Sequence, residues 1–334
     1  MKRFKQAAAG VVLATMMGWS GVAFAQSAPE GSTYQGRDLF GQAMYTKGPN
    51  PVNVGDTDTL LRAVAEAKSA YETNMTVDNA TWYARLLGYQ GLARESIAVT
   101  TNALKKYPDS PKLLRHRAHR YFGVREFDKS IEDGLRSAKL YEGKPLEREK
   151  LGPAYFPASP DVVQFYTYYH LGQAYFAKHD FDNAAKWFHR AREIGAGTGG
   201  PPDETASIYW EYLSLARATR YSEAKALVDD YKLTLFDLRD NPEGNNYFDG
   251  IQLFKQLRDP ADFYSVRDTG KAFSTSDGIK SSTSYSLAQY YILRAEYDKA
   301  KPYLRQAMQI ETWSFFARIQ AEADWVLLFG NEKP

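Results

Sequence analysis

The sequence predicts an all-α protein, a solenoid of helix–turn–helix units, and three observations carry that reading. Residues 165–194 read as two amphipathic helices joined by a tight turn at Lys178-His179-Asp180. Small residues recur where such helices would cross. Gly172 and Ala184 stand within that pair, Ala191 faces the next unit, and Ala84 and Ala118 lie one 34-residue period apart upstream. An aromatic followed by a helix-capping residue recurs at Phe127-Asp128, Phe181-Asp182, Tyr221-Ser222 and Tyr297-Asp298. One helix pair cannot bury its own apolar face, so units of this kind must stack.

Leu171-Gly172, Tyr175, Ala184, Phe188 and Ala191 fall where the tetratricopeptide repeat family places L-G, Y, A, F and A. The chain resembles that family from about Val77 to its C-terminus. The resemblance implies a right-handed superhelix of antiparallel helix pairs, A and B, and a protein that holds a partner.

In chain order, Lys2, Arg3 and Lys5 precede an apolar run over 7–17, and Ala23-Phe24-Ala25 follows as an A-x-A site. Residues 1–25 therefore read as an export signal cleaved after Ala25, the rival being an uncleaved anchor. Residues 26–58 are rich in Gly, Pro, Ser and Thr and read as an extended leader. An apolar island inside it, 39–45, is expected to dock on the solenoid, either in its groove or on the outside of the first helices. Leu60, Leu61, Val64, Ala67 and Tyr71 predict an orphan helix over 59–73. Repeats follow at about 77–110, 111–144, 165–198, 205–241 and 281–312, with a degenerate unit at 245–266 and a closing helix over 313–329. Pro145, Pro153, Pro157 and Pro160 forbid a long helix in the insertion at 143–160. The first repeat lacks the turn signal, having Ala93-Arg94 there. The fourth has Tyr212 and Tyr231 where small residues are expected.

Composition narrows the function. The chain is 25% charged and 44% hydrophobic, an ordinary soluble balance. Loss of Lys2, Arg3 and Lys5 with the signal would leave 39 basic against 40 acidic residues, a balance that argues against nucleic acid as partner. With no cysteine there is no disulfide, thiolate metal site, cysteine nucleophile or lipid anchor on an N-terminal Cys. Gly195-Ala196-Gly197-Thr198-Gly199-Gly200 matches G-x-G-x-x-G, but it follows a helix and runs into Pro201-Pro202, so it reads as a C-cap and linker rather than a dinucleotide loop. Thr269-Gly270-Lys271 lacks the rest of a phosphate loop. His116 and His119 are three apart but lie among Arg115, Arg117 and Arg120, which would repel a cation. No acid/base pair or nucleophile constellation is legible, so neither metal, cofactor nor catalytic residue is expected.

The family's helix A positions that line the concave face give a candidate binding stripe: Arg85 and Tyr89; Lys112, Arg115, His119 and Phe122; Tyr166, Tyr169, Gln173 and Phe176; Tyr209 and Arg217; Tyr285 and Gln289. Thr81 and Arg85 stand where carboxylate-clamp members of the family carry Lys and Asn. The stripe is basic at its N-terminal end and aromatic along its middle. It is expected to hold an extended protein or peptide segment of acidic and aromatic character. Packing of these tyrosines between neighbouring A helices is the structural alternative. A non-catalytic scaffold of the bacterial cell envelope is the function expected. Glycan binding by tyrosine stacking and an envelope hydrolase are the other readings.

Overall fold

A computed structural model describes residues 28–46, 48, 56–150, 152–156, 162–195, 200–232, 234, 242–263, 277–330 and 332–334. Residues 1–25, expected to be an export signal, the phosphate-loop-like Thr269–Lys271 stretch and the middle of the glycine run at 196–199 lie outside the described residues.

Thirteen α-helices are described. They are α1 (Thr57–Thr73), α2 (Val77–Tyr89), α3 (Ala93–Lys106), α4 (Pro111–Gly123), α5 (Phe127–Leu140), α6 (Val163–Ala177), α7 (Phe181–Ile194), α8 (Pro201–Arg217), α9 (Tyr221–Asp230), α10 (Pro242–Phe254), α11 (Asp277–Ile292), α12 (Tyr297–Met308) and α13 (Phe316–Phe329). Sequential helices pack as antiparallel pairs, and the first helices of successive units, α2, α4, α6 and α8, also touch one another in series. The degenerate unit supplies α10 and a short 3-10 helix, Pro260–Asp262.

The close crossings sit where small residues stand. A Cβ added to Gly172 would lie 2.7 Å from the Phe188 ring, and one added to Gly134 would lie 2.7 Å from a methyl of Leu171. Gly172 thus admits the second helix of its own unit, and Gly134 admits the first helix of the next. Tyr212, at a position expected to be small, instead reaches α10 and stacks on Phe254 at 4.8 Å.

The turns between paired helices share one geometry and correct the expected caps. Gly91, Arg125, His179, Thr219 and Ala295 all have positive φ, between 57° and 77°. The cap position comes one residue later, at Leu92, Glu126, Asp180, Arg220 and Glu296. The recurring aromatic is therefore the first helical residue rather than the residue before a cap. Asp128, Asp182 and Asp298 lie inside the first turn. There their charge faces the positive end of the helix dipole.

The leader departs from an extended segment. Strands β1 (Thr33–Arg37) and β2 (Ala43–Thr46) pair antiparallel, with a bulge between Tyr34 and Gly36. The bulge directs Gln35 at the start of α3: its Oε1 accepts from the Arg94 backbone N–H at 2.8 Å and its Nε2 donates to Glu95 at 3.2 Å. Leu92 cannot cap α3. The hairpin supplies from a distance the cap that the first repeat lacks. The island 39–45 thus settles on neither expected place. Met44 packs with Ala93, Ile97, Val124 and Trp313, and Leu39 with Phe127, Ile131 and Phe316, along the turn edge of the first two repeats.

Candidate functional site

The stripe was expected to face solvent. The fold fills it from two directions, and this corrects the open groove. Its residues are brought together on α2, α4, α6, α8 and α11, but Arg85, Arg115, Phe122, Tyr169, Gln173, Tyr209, Tyr285 and Gln289 are buried. Tyr89, His119 and Tyr166 are partly buried.

At the basic end the filler is the insertion. Glu149 accepts from Arg85 at 3.1 Å, lies 3.4 Å from Arg115 and meets His116 Nε2 at 2.6 Å. Arg85 also donates to the Tyr89 hydroxyl at 2.7 Å, and Phe156 of the insertion stacks on the Tyr89 ring. Lys112 is shared between Asp78 at 3.0 Å and Glu147 at 2.7 Å. Burial opposes ionisation of Glu149, but His116, Arg115 and Arg85 outweigh it and hold the carboxyl well below the usual range. The positive charge expected to draw an acidic partner is thus met by an acid of the same chain. Arg115 also lies over the Tyr166 ring at 5.1 Å.

Along the middle and the far end the filler is α13. This helix turns back into the face made by the first helices and touches α6, α11 and α12. Phe316 sits edge-on to His119, Phe122 and His170 at 5.7, 5.3 and 5.7 Å and packs against Tyr169. Gln320 Nε2 donates to both the backbone and side-chain oxygens of Gln173 at 2.9 Å. Asp324 accepts from Arg217 at 2.8 Å, Tyr285 at 2.8 Å and Gln289 at 2.6 Å. Glu322 pairs with Arg125 at 2.6 Å, in the turn of the second repeat. Residues 319–325 of α13 are all buried, around the whole circumference of the helix. An α-helix buried on every side must be surrounded by others, and its charged groups are tolerable only because each has partners.

The remaining stripe residues knit the repeats together. The Tyr209 hydroxyl meets Ser286 at 2.8 Å, and Tyr169 meets the Tyr247 hydroxyl at 3.2 Å. Phe176 packs on Trp210. This is the inter-helix packing that stood as the alternative to an exposed tyrosine surface. Sequence reasoning missed Glu149, Phe316, Gln320 and Asp324. Their signal was faint: α13 places Gln320, Glu322 and Asp324 among Ala317, Ala321 and Ala323, leaving no continuous polar face. Among the described residues, no group of three or more His, Asp or Glu is arranged to hold a metal, and no helix is long and apolar enough to cross a membrane.

No protein-family model and no curated protein matches the sequence. Solved structures similar to it include a tetratricopeptide repeat protein from Parabacteroides merdae, at 14% identity and a TM-score of 0.45, covering 78% of this chain and 92% of that one. BtubC (BKLC) from P. vanneervenii is similar at 15% identity and a TM-score of 0.40, over 75% and 87% of the two chains. A putative kinesin light chain from Podosopora anserina with nearly identical TPR-like repeats is similar at 14% identity and a TM-score of 0.37, over 74% and 92%. Helix pairs joined by turns with one left-handed residue, crossing at Gly134 and Gly172 and stacked first helix on first helix, make the described chain an all-α solenoid.

Proposed function

We propose that the chain is a non-catalytic protein-interaction scaffold of the bacterial cell envelope whose binding groove is occupied by its own last helix. The observation that carries this reading is the seat of α13. Gln320 and Asp324, one helical turn apart, meet Gln173 on α6 and the Arg217, Tyr285 and Gln289 group on α8 and α11. A stripe that grips an amide and a carboxylate four residues apart on a helix is built to read a helix. A partner would present an amphipathic helix of the same pattern and take the place of α13. The acidic character expected of the partner survives as the carboxylate at the Asp324 position. Export rests on the Met1–Ala25 pattern, and N-terminal sequencing from a periplasmic fraction tests it, with Gln26 the expected first residue. The glycan reading loses support, since Tyr169, Tyr209 and Tyr285 are buried and offer no face to a sugar ring.

The groove is tested by locking it. The chain has no cysteine, so Gln173→Cys combined with Gln320→Cys gives one pair for a short bis-maleimide. Pulldowns from an envelope extract are compared between the linked and unlinked forms. Loss of a partner on linking is expected. A partner captured equally by both forms would place binding elsewhere on the surface.

A further inference from the structure

Beside the Glu149 cluster, Arg120 on α4 is left without an ion-pair partner among the described residues. Its guanidinium lies against α2 at Gly88, so close that a Cβ there would come within 2.2 Å of Cζ. Its Nε is buried and has no hydrogen-bond partner. Among the described residues no carboxylate is paired with it. Its charged neighbours are Arg115, Arg85 and Glu149, and the Glu149 carboxylate is already engaged by Arg85, Arg115 and His116. Burial, reinforced by these two cations, pushes Arg120 down to about 10. Across the same space His170 on α6 is buried, with an unpartnered Nδ1. Its ring stacks on His119 at 3.9 Å. Burial, Arg115 and Arg120 together keep His170 well below the usual imidazole range, so it is neutral and able to donate one N–H.

A guanidinium taken from water without a counter-charge costs several kcal/mol, and such groups are otherwise paired. The residue as a whole is only partly buried. Its fork of N–H donors suits a tetrahedral oxyanion, which offers more acceptor oxygens than a carboxylate.

We propose that Arg120, with His170 and the neighbouring Arg115, forms a binding site for a phosphate group, at the junction of α2, α4 and α6. The ligand is free inorganic phosphate or the phosphoryl group of a small phosphomonoester. The site adjoins the groove occupied by α13, whose Phe316 packs on His170, and needs no protein partner.

The test uses the full mature chain in phosphate-free buffer. Inorganic phosphate, glycerol phosphate and acetate are titrated at matched ionic strength, with melting temperature and calorimetric heat as readouts. Phosphate is expected to raise the melting temperature by roughly 2–4 °C at saturating excess, and acetate is not. A matching rise with glycerol phosphate assigns a phosphomonoester ligand; a rise with phosphate alone assigns the free ion. Arg120→Gln should fold, since it removes an unpaired buried charge, and should lose the rise. Gly88→Ala keeps every charge but drives the guanidinium aside, and should weaken binding by ~10-fold or more. If Arg120→Gln does not fold, Gly88→Ala carries the comparison. No phosphate-specific heat with the wild type, an equal rise with acetate, or an unchanged rise in either folded variant would overturn the proposal.

Discussion

Gly172→Ala adds one methyl group at the crossing of α6 and α7. In an open helix the change would stabilise by about 0.5–1 kcal/mol, because alanine loses less backbone freedom on folding. Here the new Cβ would stand 2.7, 2.8 and 2.8 Å from three atoms of the Phe188 ring. That ring is fully buried and lies edge-on to Tyr169 and stacked on Trp210, so it has nowhere to retreat. Overpacking of this kind costs about 1–3 kcal/mol. The net expectation is a loss of about 1–2 kcal/mol, and ~3 kcal/mol or more for Gly172→Leu. Gly123→Ala is the control. It lies at the end of α4, where the added Cβ meets Ser314 and Trp313 at an ordinary 3.7 and 3.8 Å, so the same chemistry should be neutral or stabilising. Urea denaturation followed by far-UV circular dichroism, with equal m-values, gives the comparison. Gly172→Ala as stable as Gly123→Ala would refute the crossing geometry.

Three other outcomes follow from buried polar groups. Asp324→Ala strands Arg217 in the interior and should cost about 3–5 kcal/mol, with Asp324→Asn losing less; a urea midpoint within error of wild type would contradict the seating of α13. Gln35→Ala removes the cap lent to α3 and should cost about 1 kcal/mol, read by the same assay, whereas no change would mean that the hairpin lies idle. His116, lowered by burial to about 4, and His119, His170 and His179, also lowered by burial, are held neutral in the folded chain. The unfolded chain then binds more protons below pH ~6.5, so stability is fully present above that pH and falls as pH drops toward 4. Melting temperatures at pH 8, 6.5 and 5 should decline in that order below neutrality, and a flat profile would contradict the burial of these rings.

The helix pairs were legible because their evidence is local. Leu171-Gly172, Ala184 and Ala191 fix the phase of one unit, and the recurring aromatic-acid turns fix the others. The error in the caps has a local cause too: the left-handed residue at Arg125, His179 and Ala295 shifts the helix start two residues earlier than an acid alone would suggest. What the stripe would face was not legible. Arg85 and Asp324 are each satisfied by residues from another part of the chain, and a carboxylate in a proline-flanked insertion reads the same whether it meets water or a buried arginine. The bulge at Gln35 was hidden for a similar reason, since its partner is the unfilled cap of a helix almost 60 residues onward.

The central claim is that α13 is a buried element of the solenoid rather than a trailing end. Native-state amide hydrogen exchange on the intact chain tests it directly. The amides of residues 319–325 should exchange as slowly as those of α6, against which Phe316 and Gln320 pack. Exchange of that segment within seconds, while α6 stays protected, would contradict the account.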